Sequence, residues 1–317
     1  MQGHRRILYY GLIALLVASV IGYIAPIVRG GASEAAEVRQ SAAPADGVSS
    51  FSFVVFGDNR PSLPGRRQPK VLSRIIDEIN LLRPAFAVHV GDTIYGESPR
   101  TAEKEYADFL RVAGRLKARL YLAVGNHEVR GSDTEALFKR LLERETLYYS
   151  FNYGNSHFAV LDSEVAGQRG RITGSQLEWL KEDLHANRHK AHKFVFVHRP
   201  LFPVDGHIGS SLDQYPGDRA RLITLLKAYN VDTVFAGHEH LYNKAVVDGL
   251  TEYICGGSGA PMYASLVGTG RFHHFLLVSV RGEDVTVAVI KPGNIEDSDV
   301  IIDEMAKRKR LTPALKP

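Results

Sequence analysis

Several apolar runs in this chain end in side chains that can bind a metal ion. Phe51 to Gly57 leads to Asp58, and Ala85 to Val90 leads to Gly91-Asp92. Arg119 to Gly125 delivers Asn126-His127-Glu128, Phe194 to Val197 delivers His198, and Val231 to Gly237 delivers His238-Glu239-His240. A polar residue just past a buried strand sits where open α/β sheets hold their ligands, outside the carboxyl ends of the strands. One such ending is ordinarily a cap or a solvated loop residue. Repeated along one chain, they assemble carboxylate, amide and imidazole donors, the set that hydrolytic divalent and trivalent ions use. Asp58, Asp92 and Asn126 follow one another at intervals of 34 residues, about the length of a strand, helix and strand unit.

The blocks Gly57-Asp58-Asn59-Arg60, Gly91-Asp92, Gly125-Asn126-His127-Glu128, Val197-His198 and Gly237-His238-Glu239-His240 resemble, in this order, the motifs of the calcineurin-like metallophosphoesterase superfamily. Arg60 is a departure, because most of that family has a metal-binding His there and a guanidinium has no lone pair to give. The purple acid phosphatase branch also lacks that His and uses a Tyr three residues after the second Asp, a position held here by Tyr95. The resemblance implies one ion on Asp58, Asp92, Tyr95 and His240, and a second on Asp92, Asn126, His198 and His238, with Asp92 bridging. The ions would be Fe, Zn or Mn. Two readings of Tyr95 stay open: a phenolate ligand, which suits Fe(III), or a ring packed over the site.

The same resemblance gives His127 a catalytic role at the leaving group, which an imidazole with a pKa of about 6.5 performs at ordinary pH. Arg60 would receive a substrate phosphate through its planar fork. His207 falls close to where purple acid phosphatases place a second phosphate-facing His. The implied reaction is phosphoester hydrolysis by a metal-bound hydroxide, with a phosphomonoester as the first expectation. A phosphodiesterase or pyrophosphatase acting on nucleotides, lipid headgroups or envelope polymers is the alternative, and a membrane-tethered binding module without turnover is a third reading.

Elements of alternating type must position these residues. Val71, Leu72, Ile75, Ile76, Ile79 and Leu82 fall at helical spacing, and Pro84 stops that helix. A charged helix is expected over 101–116, a short one over 134–142, one with the stripe Leu177, Leu180 and Leu184, and one over 219–229. Tyr148 to Tyr153 and His157 to Leu161 read as a hairpin about Gly154-Asn155. Residues 241–247, 251–255, 272–280 and 284–290 read as successive strands of a second sheet. The implied fold class is α/β, a four-layer αββα sandwich of two mixed β-sheets flanked by helices, although the strand count alone would fit a single larger sheet. His185, His189 and His192 read as a solvated face, His273 and His274 as structural, and Gly256-Gly257-Ser258-Gly259 as a turn approaching the site. The lone Cys255 excludes an intramolecular disulfide and reads as a buried small residue.

The N-terminus differs from the rest. Ile7 to Val28 is 22 residues without a charge. As a helix it would reach about 33 Å, enough to cross a bilayer core. Arg5 and Arg6 precede it, while Arg29 and Arg39 beyond it are balanced by Glu34 and Glu37, so the remainder is expected outside the cytoplasm. The expected organisation is a signal anchor or transmembrane helix over 1–28, a flexible Ala/Gly/Ser-rich linker over 29–50, a catalytic domain over 51–291 and a tail over 292–317. Of 39 basic and 35 acidic residues, four and three lie in 1–50 and six and five in 291–317, which leaves 29 against 27 between them. That balance gives no support for a nucleic-acid groove.

Overall fold

The computed structural model describes residues 48–262 and 270–293, together with the backbone strand 301–304. The expected anchor and linker therefore lie outside the described residues, apart from the linker's last three positions. Among the described residues no helix is long and apolar enough to cross a membrane.

The first half alternates as its periodicity requires. Strand β1 (Ser50–Phe56) is followed by helix α1 (Lys70–Leu82), β2 (Phe86–His89), α2 (Pro99–Ala113), β3 (Arg119–Leu122) and α3 (Ser132–Leu142). Helix α1 buries Leu72, Ile75, Ile76 and Ile79 and ends at Arg83, whose left-handed backbone precedes Pro84. Helix α2 starts at Ser98, whose hydroxyl accepts from Thr101 N, with Pro99 in the first turn where its missing N–H costs nothing. The expected hairpin is β4 (Tyr149–Tyr153) and β5 (Ser156–Val160). Then come α4 (Gly174–Ala186), β6 (His192–Val197), α5 (Pro216–Ala228), β7 (Thr233–Ala236), β8 (Tyr242–Val247), β9 (Leu250–Cys255), β10 (Phe275–Arg281), β11 (Asp284–Ile290) and β12 (Ile301–Glu304).

These strands form two mixed six-stranded sheets, in the orders β12-β11-β10-β1-β2-β3 and β4-β5-β6-β7-β9-β8. The sequence assigned the last four apolar runs to one second sheet, and this is corrected. Only β8 and β9 join the second sheet, whereas β10 returns to pair antiparallel with β1 from Ser50↔Arg281 to Val55↔Leu276. Apolar runs of this kind look alike whichever sheet they join, and the free edge of β1 decides the partner. Strand β12 pairs with β11 beyond residue 291, inside the stretch expected as a tail.

Burial fixes the layering. Phe53, Phe86, Val88, Phe158, Phe194, Phe196, Phe235 and Leu276 pack between the sheets. Val54, Phe56 and Ala87 face the other way, against α1, α2 and α3, while Val195, Val197 and Val234 pack on α4 and α5. Strand β6 is buried along its whole length, so His192 is a core residue bonded to Gly282 O and not part of a solvated face. Cys255 is buried, and its thiol donates to Ala236 O.

Candidate metal centre

The parallel strands of both sheets end at the same edge, and their carboxyl-end turns meet there. β1 delivers Asp58, β2 Asp92, β3 Asn126 and His127, β6 His198, and β7 His238 and His240. All of these except the half-buried Asn126 are buried. Asp58, Asp92 and His238 hold φ at 57°, 62° and 69°, in the left-handed region that side chains other than glycine seldom adopt. Hydrogen bonds keep them there: Asp58 N donates to Gly91 O at 3.0 Å, and His238 N donates to both Asp58 carboxylate oxygens at 3.0 and 3.2 Å.

Two groups of donor atoms result. In the first, one atom each from Asp58, Asp92 and His240 lie within 4.8 Å of one another. In the second, His198 Nε2 stands 3.0 Å from Asn126 Oδ1, 3.4 Å from Asp92 Oδ1 and 3.2 Å from His238 Nδ1. Ligands about 2.0–2.1 Å from one ion at tetrahedral angles are about 3.3 Å apart, so the second group already has the spacing of a cation's coordination sphere. Ring orientations agree. His198 Nδ1 donates to Val90 O and His240 Nδ1 to Pro261 O, which leaves each Nε2 lone pair directed inward.

The electrostatics ask for positive charge. Burial, reinforced by Asp92, pushes the Asp58 carboxyl well above its usual range, with His198 opposing. Burial alone would lower His198, yet Asp92 and Asp58 outweigh it and raise the imidazole. Burial also presses on Asp92, but His127, His198 and Arg60 hold it below the ordinary carboxylate range. A proton on His198 is the poor substitute for a bound cation among these carboxylates. The donors are oxygen and imidazole nitrogen, and Cys255, the lone thiol, is turned away. This set fits Zn, Mn or Fe.

Second-layer carboxylates hold the turns. Glu128 accepts from Asp92 N, Thr93 N, Thr93 Oγ1 and Gly125 N, and so ties the second and third blocks together. Glu239 accepts from Val204 N and Asp205 N, and Glu252 from Leu201 N and Phe202 N. Arg199 pairs with buried Glu164 through two bonds of 2.6 and 2.9 Å and reaches Ser210 O. Together these groups clamp the connection that brings the His207 ring 3.9 Å from that of His238.

The remaining expected residues line the opening. His127 Nδ1 donates to Tyr95 O at 2.6 Å, and its Nε2 lies 3.8 Å from Asp92 Oδ2. Burial lowers His127 to about 4, with Asp92 opposing and Arg60 and Arg130 adding to the shift, so the expected ordinary pKa is corrected downward. Arg60 Nε lies 3.9 Å from Asp92 Oδ2. The Tyr95 ring meets His127 edge-on at 5.4 Å and carries the guanidinium carbons of Arg60 and Arg130 at 5.5 and 4.8 Å. Sequence reasoning missed Arg130, Arg199, Glu164 and Glu252, because their roles depend on contacts remote in sequence. Arg130 had one available signal, its place three residues after His127.

The family model of the calcineurin-like phosphoesterases matches residues 51–242, a stretch that contains every proposed metal ligand, while Glu252 lies just beyond it. The chain belongs to the calcineurin-like phosphoesterase family. This calcineurin-like phosphoesterase is 34% identical over 133 residues to purple acid phosphatase 23 of Arabidopsis thaliana, across 38% of its own length and 28% of the relative's. It is 27% identical over 182 residues to a cAMP/cGMP dual specificity phosphodiesterase of Mycobacterium tuberculosis, covering 56% of each. It thus spans between about a quarter and somewhat over half of these relatives. A solved purple acid phosphatase from yellow lupin shares the fold at a TM-score of 0.66 and 18% identity, over 82% of this chain and 54% of that one.

Proposed function

We propose that this protein is a dinuclear-metal-dependent phosphoester hydrolase, first of all a phosphomonoesterase. One observation carries the reading: donors from both sheets converge at coordination spacing on one edge, with Asp92 common to the two groups. Asp58, Asp92 and His240 would hold one ion, with Tyr95 as the fourth ligand, and Asp92, Asn126, His198 and His238 the other. Two such ions, when bound, lower the pKa of water and stabilise the attacking and leaving oxygens of an in-line displacement. The chain's own side chains do the rest. Arg60 and His207 receive the phosphate, and burial around His127 keeps bulk water from the leaving oxygen. A phosphate dianion entering beside His127 favours the imidazolium, which then holds a proton at Nε2 for the departing group.

The similarity to a cyclic nucleotide phosphodiesterase favours a diester as the second reading. The two separate on the full chain loaded in turn with Fe, Zn and Mn, assayed on para-nitrophenyl phosphate and bis-para-nitrophenyl phosphate beside Asp92→Asn. Preference for the monoester, lost in the variant, is the expected result. Preference for the diester selects the second reading, and a variant with full rate and full metal content overturns both.

We propose further that residues 7–28 anchor the protein in a membrane with the catalytic domain outside the cytoplasm, a reading supported by the charge-free length and by Arg5 and Arg6 before it. Protease added to spheroplasts, where both the periplasmic and the cell-surface side are open, should then degrade the domain, and release of the protein by carbonate washing would argue against the anchor.

A further inference from the structure

Helix α2 sends a carboxylate to the metal centre that lies in none of the strand-end blocks. Ala102, Tyr106 and Phe109 bury one side of the helix, and Glu105 lies inside with them. Its two oxygens meet three backbone N–H groups. Oε1 accepts from Gly65 N at 2.5 Å, and Oε2 accepts from Tyr95 N at 2.7 Å and from Gly96 N at 3.0 Å.

The bond to Gly96 reaches further than its own residue. The N–H of Gly96 and the C=O of Tyr95 belong to one peptide unit, and that carbonyl accepts from His127 Nδ1 at 2.6 Å. A single planar group thus has a carboxylate on its N–H side and an imidazole on its C=O side. Resonance carries the effect across: a peptide that donates to a carboxylate puts more negative charge on its own oxygen and strengthens the bond accepted there. A carbonyl has no proton to give, so the hydrogen sits on Nδ1, and Nε2 is left facing the centre, 3.8 Å from Asp92 Oδ2. Close approach is built in as well. Gly96 holds φ at 69°, and a Cβ there would collide with His127 O, so only glycine lets this peptide sit against His127.

We infer that Glu105 is a positioning residue for His127, acting through the Tyr95–Gly96 peptide, so that carboxylate, peptide and imidazole form a relay that aims Nε2 at the leaving oxygen. The inference rests on the reading of His127 as the group at that oxygen. Glu105 touches no substrate atom. The Nδ1 proton stays on the ring, and the proton at Nε2 goes to the departing group. A weakened relay costs most where the leaving group needs that proton and least where it departs readily without it. Asp108, one turn further along α2, supplies a control: it accepts from Gln68 N at 2.6 Å, in the same loop as Gly65, but has no bond to the Tyr95–Gly96 peptide.

The test compares E105Q and D108N with the wild type, as metal-loaded full chains, on para-nitrophenyl phosphate and phenyl phosphate. Glutamine keeps the length and one acceptor oxygen while removing the charge. In E105Q, kcat/KM for phenyl phosphate, the poorer leaving group, should fall at least about tenfold further than for para-nitrophenyl phosphate. D108N should leave the ratio of the two unchanged. Equal losses on both substrates in E105Q, or the same change of ratio in D108N, overturn the relay and leave the hydrolase reading in place. Failure of the wild type to turn over either compound would instead strike that reading, and proton NMR of the metal-free chain then decides the relay without turnover. The wild type should show a downfield His127 Nδ1–H resonance, identified by its absence in H127Q, that moves upfield in E105Q and stays in place in D108N. Should E105Q fail to fold, E105D, which keeps the charge on a shorter arm, takes its place with a shift of the same sign. A wild type without that resonance, or a Glu105 variant in which it does not move, overturns the proposal.

Discussion

Asp58, Asp92 and His238 show what the centre demands of single residues. Each adopts a left-handed backbone at a cost of about 1–2 kcal/mol, and in each case the strained turn aims a donor at the same small volume. Glycines beside them are needed for space. A Cβ on Gly125 would lie 2.3 Å from Asp92 Oδ1 and 2.8 Å from Glu128 Oε2. Gly125→Ala should therefore displace the bridging carboxylate, and metal content measured after dialysis should fall by at least one ion per chain while far-UV circular dichroism stays unchanged. Tyr95 is tested at the same scale. With Fe(III) bound, a phenolate ligand gives a visible charge-transfer band that Tyr95→Phe abolishes, and a band that survives the substitution would return Tyr95 to a packing role. The order of the blocks made the candidate ligands legible. Arg130 and Glu164 were not, since an arginine or glutamate in a loop carries no periodic signal of what it will touch.

At the scale of elements, the connection from Arg199 to Ser211 is the one that needs explaining. It is long and irregular, yet its backbone N–H groups end on Glu252 and Glu239, and Arg199 grips its far side. Burial, opposed by the Leu201 and Phe202 N–H groups, pushes Glu252 up to about 7 from its unperturbed 4.5. The folded chain thus holds a proton there that the unfolded chain gives up between those values. Stability from this group is complete below about pH 4.5 and falls as pH rises toward 7, by on the order of 3 kcal/mol. Glu252→Gln cannot titrate and loses one acceptor. Urea unfolding should show it clearly less stable than the wild type at pH 5, with the gap narrowing by pH 7.5, and a gap that widens would contradict the assignment.

At the scale of the whole molecule, the centre exists because two sheets face one another. Each proposed ion takes ligands from both: Asp58, Asp92 and Asn126 come from the first sheet, and His198, His238 and His240 from the second. The aromatic layer between the sheets therefore sets the geometry of the site as well as the stability of the fold. Phe53 is fully buried, stacks on Phe86 at 5.2 Å and meets Phe158 and Phe194 edge-on at 5.3 and 5.2 Å. Phe53→Ala should cost about 3–5 kcal/mol in chemical unfolding and should weaken metal affinity as well, although no ligand is touched. Unchanged affinity in a destabilised variant would show that the sheets hold register without it.

The chain alone determined its local elements and offered the candidate metal donors. Apolar periodicity, prolines and strand-end polar residues are short-range properties, and each is written in consecutive positions. Sheet membership was decided only in three dimensions. Strands β10 and β11 carry no local mark of their sheet; β10 pairs with the open edge of β1 and β11 follows it into the first sheet. The fate of His192, the lowered pKa of His127 and the place of Arg130 beside it belong to the tertiary structure for the same reason. Burial and charge at each of these depend on residues tens of positions away, which meet only when the sheets close on one another.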